Sequence, residues 1–424
     1  MRRRIAAAAV VLNSCGDQGP QGPKLKPPGE MFSWCNHVAR LTEKDFKLRY
    51  RLTADAFHLK LLPRLRPLLE ADSVLHLKLS RNAKWGEVVE PETKLAICLR
   101  FLAGGDPLDL KLIYDVSKSY VYSCVWRVVD AINATFPVEF PLADVGKLRV
   151  LEAEFACASR QGVWRGQVGC VDGVHFAMQA PTKEDVPDPL KYYVARKAKY
   201  ALLCLAVCDA ARRFTFFDIS QTPCTHDSLA WAASTLGQAV GAGKLPAPFF
   251  INADSAFAVS PSMITPSGID DAFDFEQSSN RMPIECAFGI LIQRWGILYR
   301  PLRVRFNRRA PLIAACMRLH NFCIDERIAE ETYHENGLSE IQPYRWVVSP
   351  KFDRDGAPVE HLDIERGPRA ALVPVGQDAR VVTRDRLMAA IQDAGLERPH
   401  VLPPHMHRRQ KRKRGGGVRK RKHR

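Results

Sequence analysis

The sequence predicts an α/β protein in which an all-α segment precedes a mixed-sheet domain. Two observations carry this expectation. Between about residues 45 and 136 apolar residues recur at helical spacing, whereas after about residue 165 the period shortens to two and strand-like runs alternate with helices. A third observation bears on function: in the second region, acidic residues stand where the neighbours are apolar. With 424 residues and 46% hydrophobic content, the chain has length for two domains and a substantial core.

Residues 1–31 read as a flexible leader. The start, "MRRRIAAAAVVLNSCG", weakly resembles a signal peptide, and "SCGDQGPQGPKLKPPGEM" is rich in Gly and Pro. Residues 32–140 form the helical segment, with helices expected at "TADAFHLKLLPRLRPLL", "PETKLAICLRFLAGG", "DPLDLKLIYDV" and "SKSYVYSCVWRVVDAINATF". In the last, Val121, Val125, Val128 and Ile132 fall on one face, and Ser117 or Ser119 suits an N-cap. A short helix, a break and a longer capped helix make a helix-turn-helix candidate for a DNA major groove. Any small helical bundle reads the same way, and the second helix offers only Lys118 and Arg127 as cations.

Residues 165–330 carry strands at "GQVGCVDGVHFAMQ", "YALLCLAVCD", "RFTFFDIS" and "APFFINAD", with a helix at "DSLAWAASTLGQAV" between the last two. A final helix, "MPIECAFGILIQRWGIL", is expected to start after Pro283 and to pack Ile284, Phe288, Leu291, Trp295 and Leu298 on the sheet. Residues 331–424 show no sustained period and are expected to be poorly ordered, ending in a basic tail.

The net charge of +16 is uneven. Residues 408–424 hold eleven Lys/Arg and no acid, leaving 51 Lys/Arg against 46 Asp/Glu, or +5, for the rest. Such a tail buries no apolar surface and reads as a polyanion-binding arm or a nuclear import signal. The twelve cysteines include no CxxC pair, which favours reduced thiols over a disulfide framework or zinc site and, with the tail, argues against secretion. No apolar run approaches a membrane span.

The acids are the informative residues. Counted by twos, Val168, Cys170, Asp172, Val174, Phe176 and Met178 share one strand face. A carboxylate there needs a partner: an arginine, solvent at an early strand end, or a metal ion. Asp254 ends a buried-looking run in "FFINADSAF", Glu285 lies beside an apolar stripe, and Asp227 opens the intermediate helix. Singly, each has an ordinary reading: Asp227 as a helix cap, Asp254 as the start of a loop, Glu285 at the positive end of a helix dipole. Together they form a set of hard oxygen donors of the kind that holds Mg²⁺ or Mn²⁺ at a phosphodiester, the acid layout of a nuclease with an RNase H-like core.

The blocks "GCVDGVHFAMQAP", "AVCDAARRFTFFDISQTPCTHDS", "NADSAFAVSPSMITP", "RMPIECAFGILIQRWGIL" and "AACMRLHNFCIDE", in that order, resemble Harbinger-type DDE transposases and their domesticated nuclease relatives. The resemblance spans roughly residues 165–326 and extends loosely over 45–136. It implies that Asp172, Asp254 and Glu285 are the catalytic set, that Asp227 joins them in a divalent metal site, and that the helical segment binds DNA. It also implies multimers and a Myb-like DNA-binding partner protein. Asp209 reads as a turn former, His175 as packed, His226 as an exposed residue at a helix start, and His320 and Asn321 as holding the last helix to the core. Residues 299–311, "YRPLRVRFNRRAP", are basic enough to track a phosphate backbone or simply form a solvated surface.

The expectation is therefore a nuclear, Mg²⁺- or Mn²⁺-dependent DDE transposase or derived endonuclease that cleaves, and by 3′-hydroxyl attack joins, DNA. Its partners are DNA and further copies of the chain, and no membrane is involved. The rivals are a catalytically inactive, transposase-derived DNA-binding protein and a basic scaffold with charge-driven affinity alone.

Overall fold

The computed structural model describes residues 32–70, 88–328, 331–334, 337–340 and 379–399. The leader 1–31 and the tail 408–424 lie outside the described residues.

The first half is helical. Helix α1 (Trp34–Val38) leads to α2 (Glu43–Tyr50), where Thr42 and Asp45 form a capping box. A π-helical turn, Ala56–Leu61, runs into α3 (Leu62–Leu69), followed by α4 (Pro91–Leu102), α5 (Pro107–Ile113) and α6 (Lys118–Thr135). Ser117 caps α6, its hydroxyl accepting from Tyr120 N at 3.1 Å, and Val121, Val125, Val128 and Ile132 are buried as the spacing predicts. Arg127 bonds along the surface to the end of α3, its Nε donating to the Leu68 carbonyl at 3.2 Å. A further helix that the periodicity did not show, α7 (Val145–Ala158), enters the second half.

There the strands are β1 (Gln167–Ala177), β2 (Tyr193–Val194), β3 (Lys199–Cys208), β4 (Phe214–Asp218), β5 (Phe250–Asn252) and β6 (Met263–Ile264). β1, β3 and β4 form an antiparallel meander, while β5 and β6 run parallel to β1 on its other side. The order β4-β3-β1-β5-β6 is the RNase H-like arrangement. The short β2 pairs with the first residues of β3. On one face lie α10 (Asp271–Arg294) and α11 (Phe306–Asp325). On the other lie α7, α8 (Asp227–Ala233) and α9 (Thr235–Gly241).

The helical segment shares a core with the first of these faces: residues from Trp34 to Ile132 pack continuously with Cys170, Phe176, Ile284, Leu291 and Leu319. Between α6 and α11, Arg308 grips both carboxylate oxygens of Asp130 at 2.9 and 3.0 Å, and Arg318 donates to the Phe136 carbonyl at 2.7 Å.

Three details depart from the sequence reading. A register shift between Gln167 and Gly169 puts Val168 in the cluster with Val171, not on the Asp172 face. Helix α10 begins twelve residues before Pro283, at the Asp270 cap, so Pro283 lies inside it and Glu285 stands mid-helix, away from the positive end of the dipole. The proline removes one i→i−4 bond, and buried contacts on both sides hold the helix through it. Lastly, in the stretch expected to lack order, α12 (Ala379–Asp393) packs Leu387 and Ile391 against Trp164, Phe250, Ile264 and Phe273.

His320 and Asn321 do tie α11 to the sheet. The Asn321 side chain accepts from Phe214 N and donates to Phe214 O, both at 2.8 Å, and His320 Nε2 donates to the Arg212 carbonyl at 2.9 Å. At the β3–β4 turn, buried Asp209 accepts from Arg213 N at 2.8 Å. Burial pushes its pKa up to about 7. An unfolded Asp titrates near ~3.9, so the folded protein holds this proton more tightly, and the group's contribution to stability falls as pH rises from about 4 to about 7. Asp209→Asn is expected to flatten the pH dependence of urea-unfolding stability over that window; an unchanged slope would rule the effect out.

Candidate active site

The sheet brings the sequence-predicted acids to one region. Cys170 of β1 is level with Asn252 of β5 in a parallel register. Carried two residues on, that register sets Asp254 beside Asp172. Glu285 reaches the same place from α10, where Arg281, one turn earlier, lies at 3.4 Å from Asp172 Oδ2 and also ion-pairs with Glu285. Asp227 comes from the other face. Its Oδ1 lies so close over Gly173 that a Cβ there would sit 2.7 Å from it, so a side chain at this position of β1 would push the Asp227 carboxylate aside. The helix cap expected of Asp227 is made by His226, whose imidazole accepts from Ser228 N.

The electrostatics are those of crowded carboxylates. Burial raises the Asp172 pKa to about 6, against Arg281 and the Gly173 N–H, which lower it, and the charges of Asp254 and Glu285 add to the rise. Asp227 is raised as well, by burial first and then by Asp254. Asp254 Oδ1 accepts from Ala256 N at 2.9 Å, which fixes the turn after β5. Among the described residues no three His, Cys, Asp or Glu side chains close on a common point as a formed metal centre. The donor set is nonetheless one that hard divalent cations take, carboxylate oxygens alone, held so that ionising one disfavours ionising the next.

A buried amide network, unseen in the sequence, sets the spacing of these acids. Gln277 of α10 donates to Asn252 Oδ1 at 2.7 Å and to the Ala253 carbonyl at 2.6 Å, while Asn252 Nδ2 donates to the Gln277 carbonyl at 3.0 Å. Gln167 of β1 accepts from Asn252 at 3.2 Å and donates to the Asn280 carbonyl at 2.9 Å. β1, β5 and α10 are thereby joined close to the acids, at Gln167 five residues before Asp172, Asn252 two before Asp254 and Gln277 eight before Glu285.

The cleft beside the acids has a second wall. On the edge of β1 away from β3, β5 covers residues 167–170, and Leu302 bonds to Ala177 O at 2.9 Å and Gln179 N at 3.0 Å. Between these two pairings lies the Asp172 stretch. Leu302 and Val304 point inward, whereas Tyr299, Arg300, Arg303 and Arg305 are exposed. Arg308 and Arg309, read from the sequence as part of this basic stretch, are committed to Asp130 and to the Val304 and Gln179 carbonyls.

The family described as "DDE superfamily endonuclease" matches residues 171–321. Relatives named "Putative nuclease HARBI1" are 27% identical over 264 residues in Bos taurus and 26% over 264 residues in Homo sapiens, in each case covering 59% of this chain and 72% of the relative. The relative of that name in Xenopus laevis is 25% identical over 289 residues, 64% of this chain and 78% of its own. No solved structure matches significantly. Residues 171–321, which run from β1 into α11 and hold all four acids, match the DDE superfamily endonuclease family, in keeping with the Harbinger-type order of the motif blocks.

Proposed function

We propose that the chain is a divalent-metal-dependent DNA endonuclease in which Asp172, Asp254 and Glu285, with Asp227, hold Mg²⁺ or Mn²⁺ at the scissile phosphate. The observation that carries this is the convergence of half-buried carboxylates from β1, the end of β5 and α10 on one stretch of sheet edge. When bound, the metal would lower the pKa of the attacking water or 3′-hydroxyl and stabilise the leaving oxygen. The protein's own part is to set the spacing of the acids through the amide network, and to give up the Arg281 contact with Asp172 and Glu285 to a cation.

DNA would lie across the open edge, its backbone met by Arg300, Arg303 and Arg305, about 20 Å along β1 from Asp172 at ~3.3 Å per residue. The N-terminal end of α6, where Lys118 is exposed, is the place where the helical segment would add to this contact. Nuclear localisation directed by the tail, assembly into multimers and a Myb-like partner complete the reading. No helix among the described residues is long and apolar enough to cross a membrane.

One observation favours a second reading. Arg281 neutralises Asp172 and Glu285 from within, as it would in a DNA-binding protein that no longer cuts. Calorimetric titration with Mn²⁺ separates the two. The endonuclease is expected to bind Mn²⁺ with an affinity that Asp254→Ala removes, whereas an inactive descendant shows no acid-dependent binding.

A further inference from the structure

Lys197 stands at the rim of the carboxylate cluster and, among the described residues, forms no ion pair with an acid. The chain enters β3 through a single 3₁₀ turn, Ala195–Lys197, and then through Ala198 in the left-handed region at φ 48° and ψ 43°, a conformation unfavourable for a residue with a Cβ. That turn sets the Lys197 ammonium 3.0 Å from His175 Nδ1. The other ring nitrogen, Nε2, lies 3.1 Å from the Pro223 carbonyl. A carbonyl can only accept, so Nε2 carries the proton and Nδ1 offers its lone pair to the lysine. Burial, which lowers the His175 pKa, keeps the ring in this neutral form.

His175 and Gly173 share a face of β1, about 7 Å apart, and Asp227 lies directly over Gly173. Asp227, His175 and Lys197 therefore follow one another along the strand, and the acids whose charges reach Lys197 are Asp227 and Asp172. A lysine so placed would be expected to fold onto a carboxylate. Here a neutral imidazole holds it instead, and among the described residues this is its one hydrogen bond, so two of the three ammonium N–H groups remain for an incoming acceptor. Arg196 and Lys199 on either side add positive charge to the same rim. The ligand that suits an uncommitted cation beside acids is itself an anion with outward oxygens, which a nucleic acid backbone supplies.

We propose that Lys197, positioned by His175, is a phosphate-binding residue that receives a non-bridging oxygen of the DNA backbone beside the carboxylates. This rests on the endonuclease reading in one respect: DNA must pass the acids. Lys197 touches the substrate, whereas His175 acts through it.

The test uses the full chain, a fluorescein-labelled mixed-sequence duplex and supercoiled plasmid. In EDTA, Lys197→Ala is expected to lower the slope of log affinity against log salt by about 1, and Lys197→Arg to keep it. In Mn²⁺, Lys197→Ala is expected to slow plasmid nicking about 10²-fold, as loss of one donor to a reacting oxyanion does. His175→Leu should slow nicking while leaving the salt slope unchanged, because the charge stays. A Lys197→Ala protein with wild-type slope and wild-type nicking overturns the proposal. So does one whose slope is unchanged while thermal stability and Mn²⁺ affinity fall, since that describes a folding role. If Asp172→Ala nicks like wild type, the endonuclease reading fails, and the EDTA slope still decides for or against Lys197.

Discussion

Alanine at Asp172 or at Asp254 is expected to lower Mn²⁺-dependent plasmid nicking by on the order of 10³-fold or more, while duplex affinity in EDTA is retained. Asp172 lies within β1 and Asp254 two residues past the end of β5, on separate strands, so neither can be replaced by a small movement of the other. The remaining carboxylates lie across the sheet or on α10 and cannot supply the missing oxygens without shifting a whole element. On the proposed reading, DNA affinity would rest on cations that these substitutions leave in place: Arg300, Arg303, Arg305, Lys197 and the tail. Removal of an acid should leave that affinity unchanged or slightly raise it. Undiminished cleavage by both variants would sink the assignment.

The second large effect is expected at a residue that touches no reacting atom. Gln277→Leu leaves Asn252 Oδ1 and the Ala253 carbonyl without donors in a dry interior. Orphaned buried polar groups cost about 1–3 kcal/mol each, and the members of such a network strengthen one another. A loss of roughly 2–4 kcal/mol on urea unfolding is therefore expected, following the same figure. Nicking, measured well below the unfolding transition, should also fall, because Glu285 loses its fixed distance from Asp254. A change in stability below about 0.5 kcal/mol, the range of ordinary surface substitutions, would show that packing alone places α10.

The clustered acids could be picked out in the sequence because a carboxylate among apolar neighbours is costly and therefore conspicuous, Asp172 in its strand above all. The strands were legible from their period and bulk. What escaped has the opposite character. Gln167, Asn252, Gln277 and Arg281 look like surface residues in a one-dimensional reading, since nothing in composition tells a buried, hydrogen-bonded side chain from a solvated one. Arg281 is four residues from Glu285 and 109 from Asp172, and only the first of these separations suggests a partner. His175 reads as packed from its place on the strand face opposite Asp172, and its contact with Lys197 escapes because that residue comes from the entry turn of a later strand. The start of α10 was misplaced because Pro283 is a common helix opener, whereas here tertiary contacts carry the helix through it. Val168 was assigned to the wrong face because one irregular step in β1 resets the count of twos.

The amide ladder between β5 and α10 separates two quantities that a linear motif treats as one. Asn252 precedes Asp254 by two residues and Gln277 precedes Glu285 by eight, and the direct bond between the amides closes the path from one acid to the other. The chain from Ser255 to Asp270, with β6 and its turns, lies outside that closed path. Its length can grow or shrink without moving Glu285 relative to Asp254, provided that both anchors survive. The invariant of this site is a clasp, and the number of residues between the acids is free to drift.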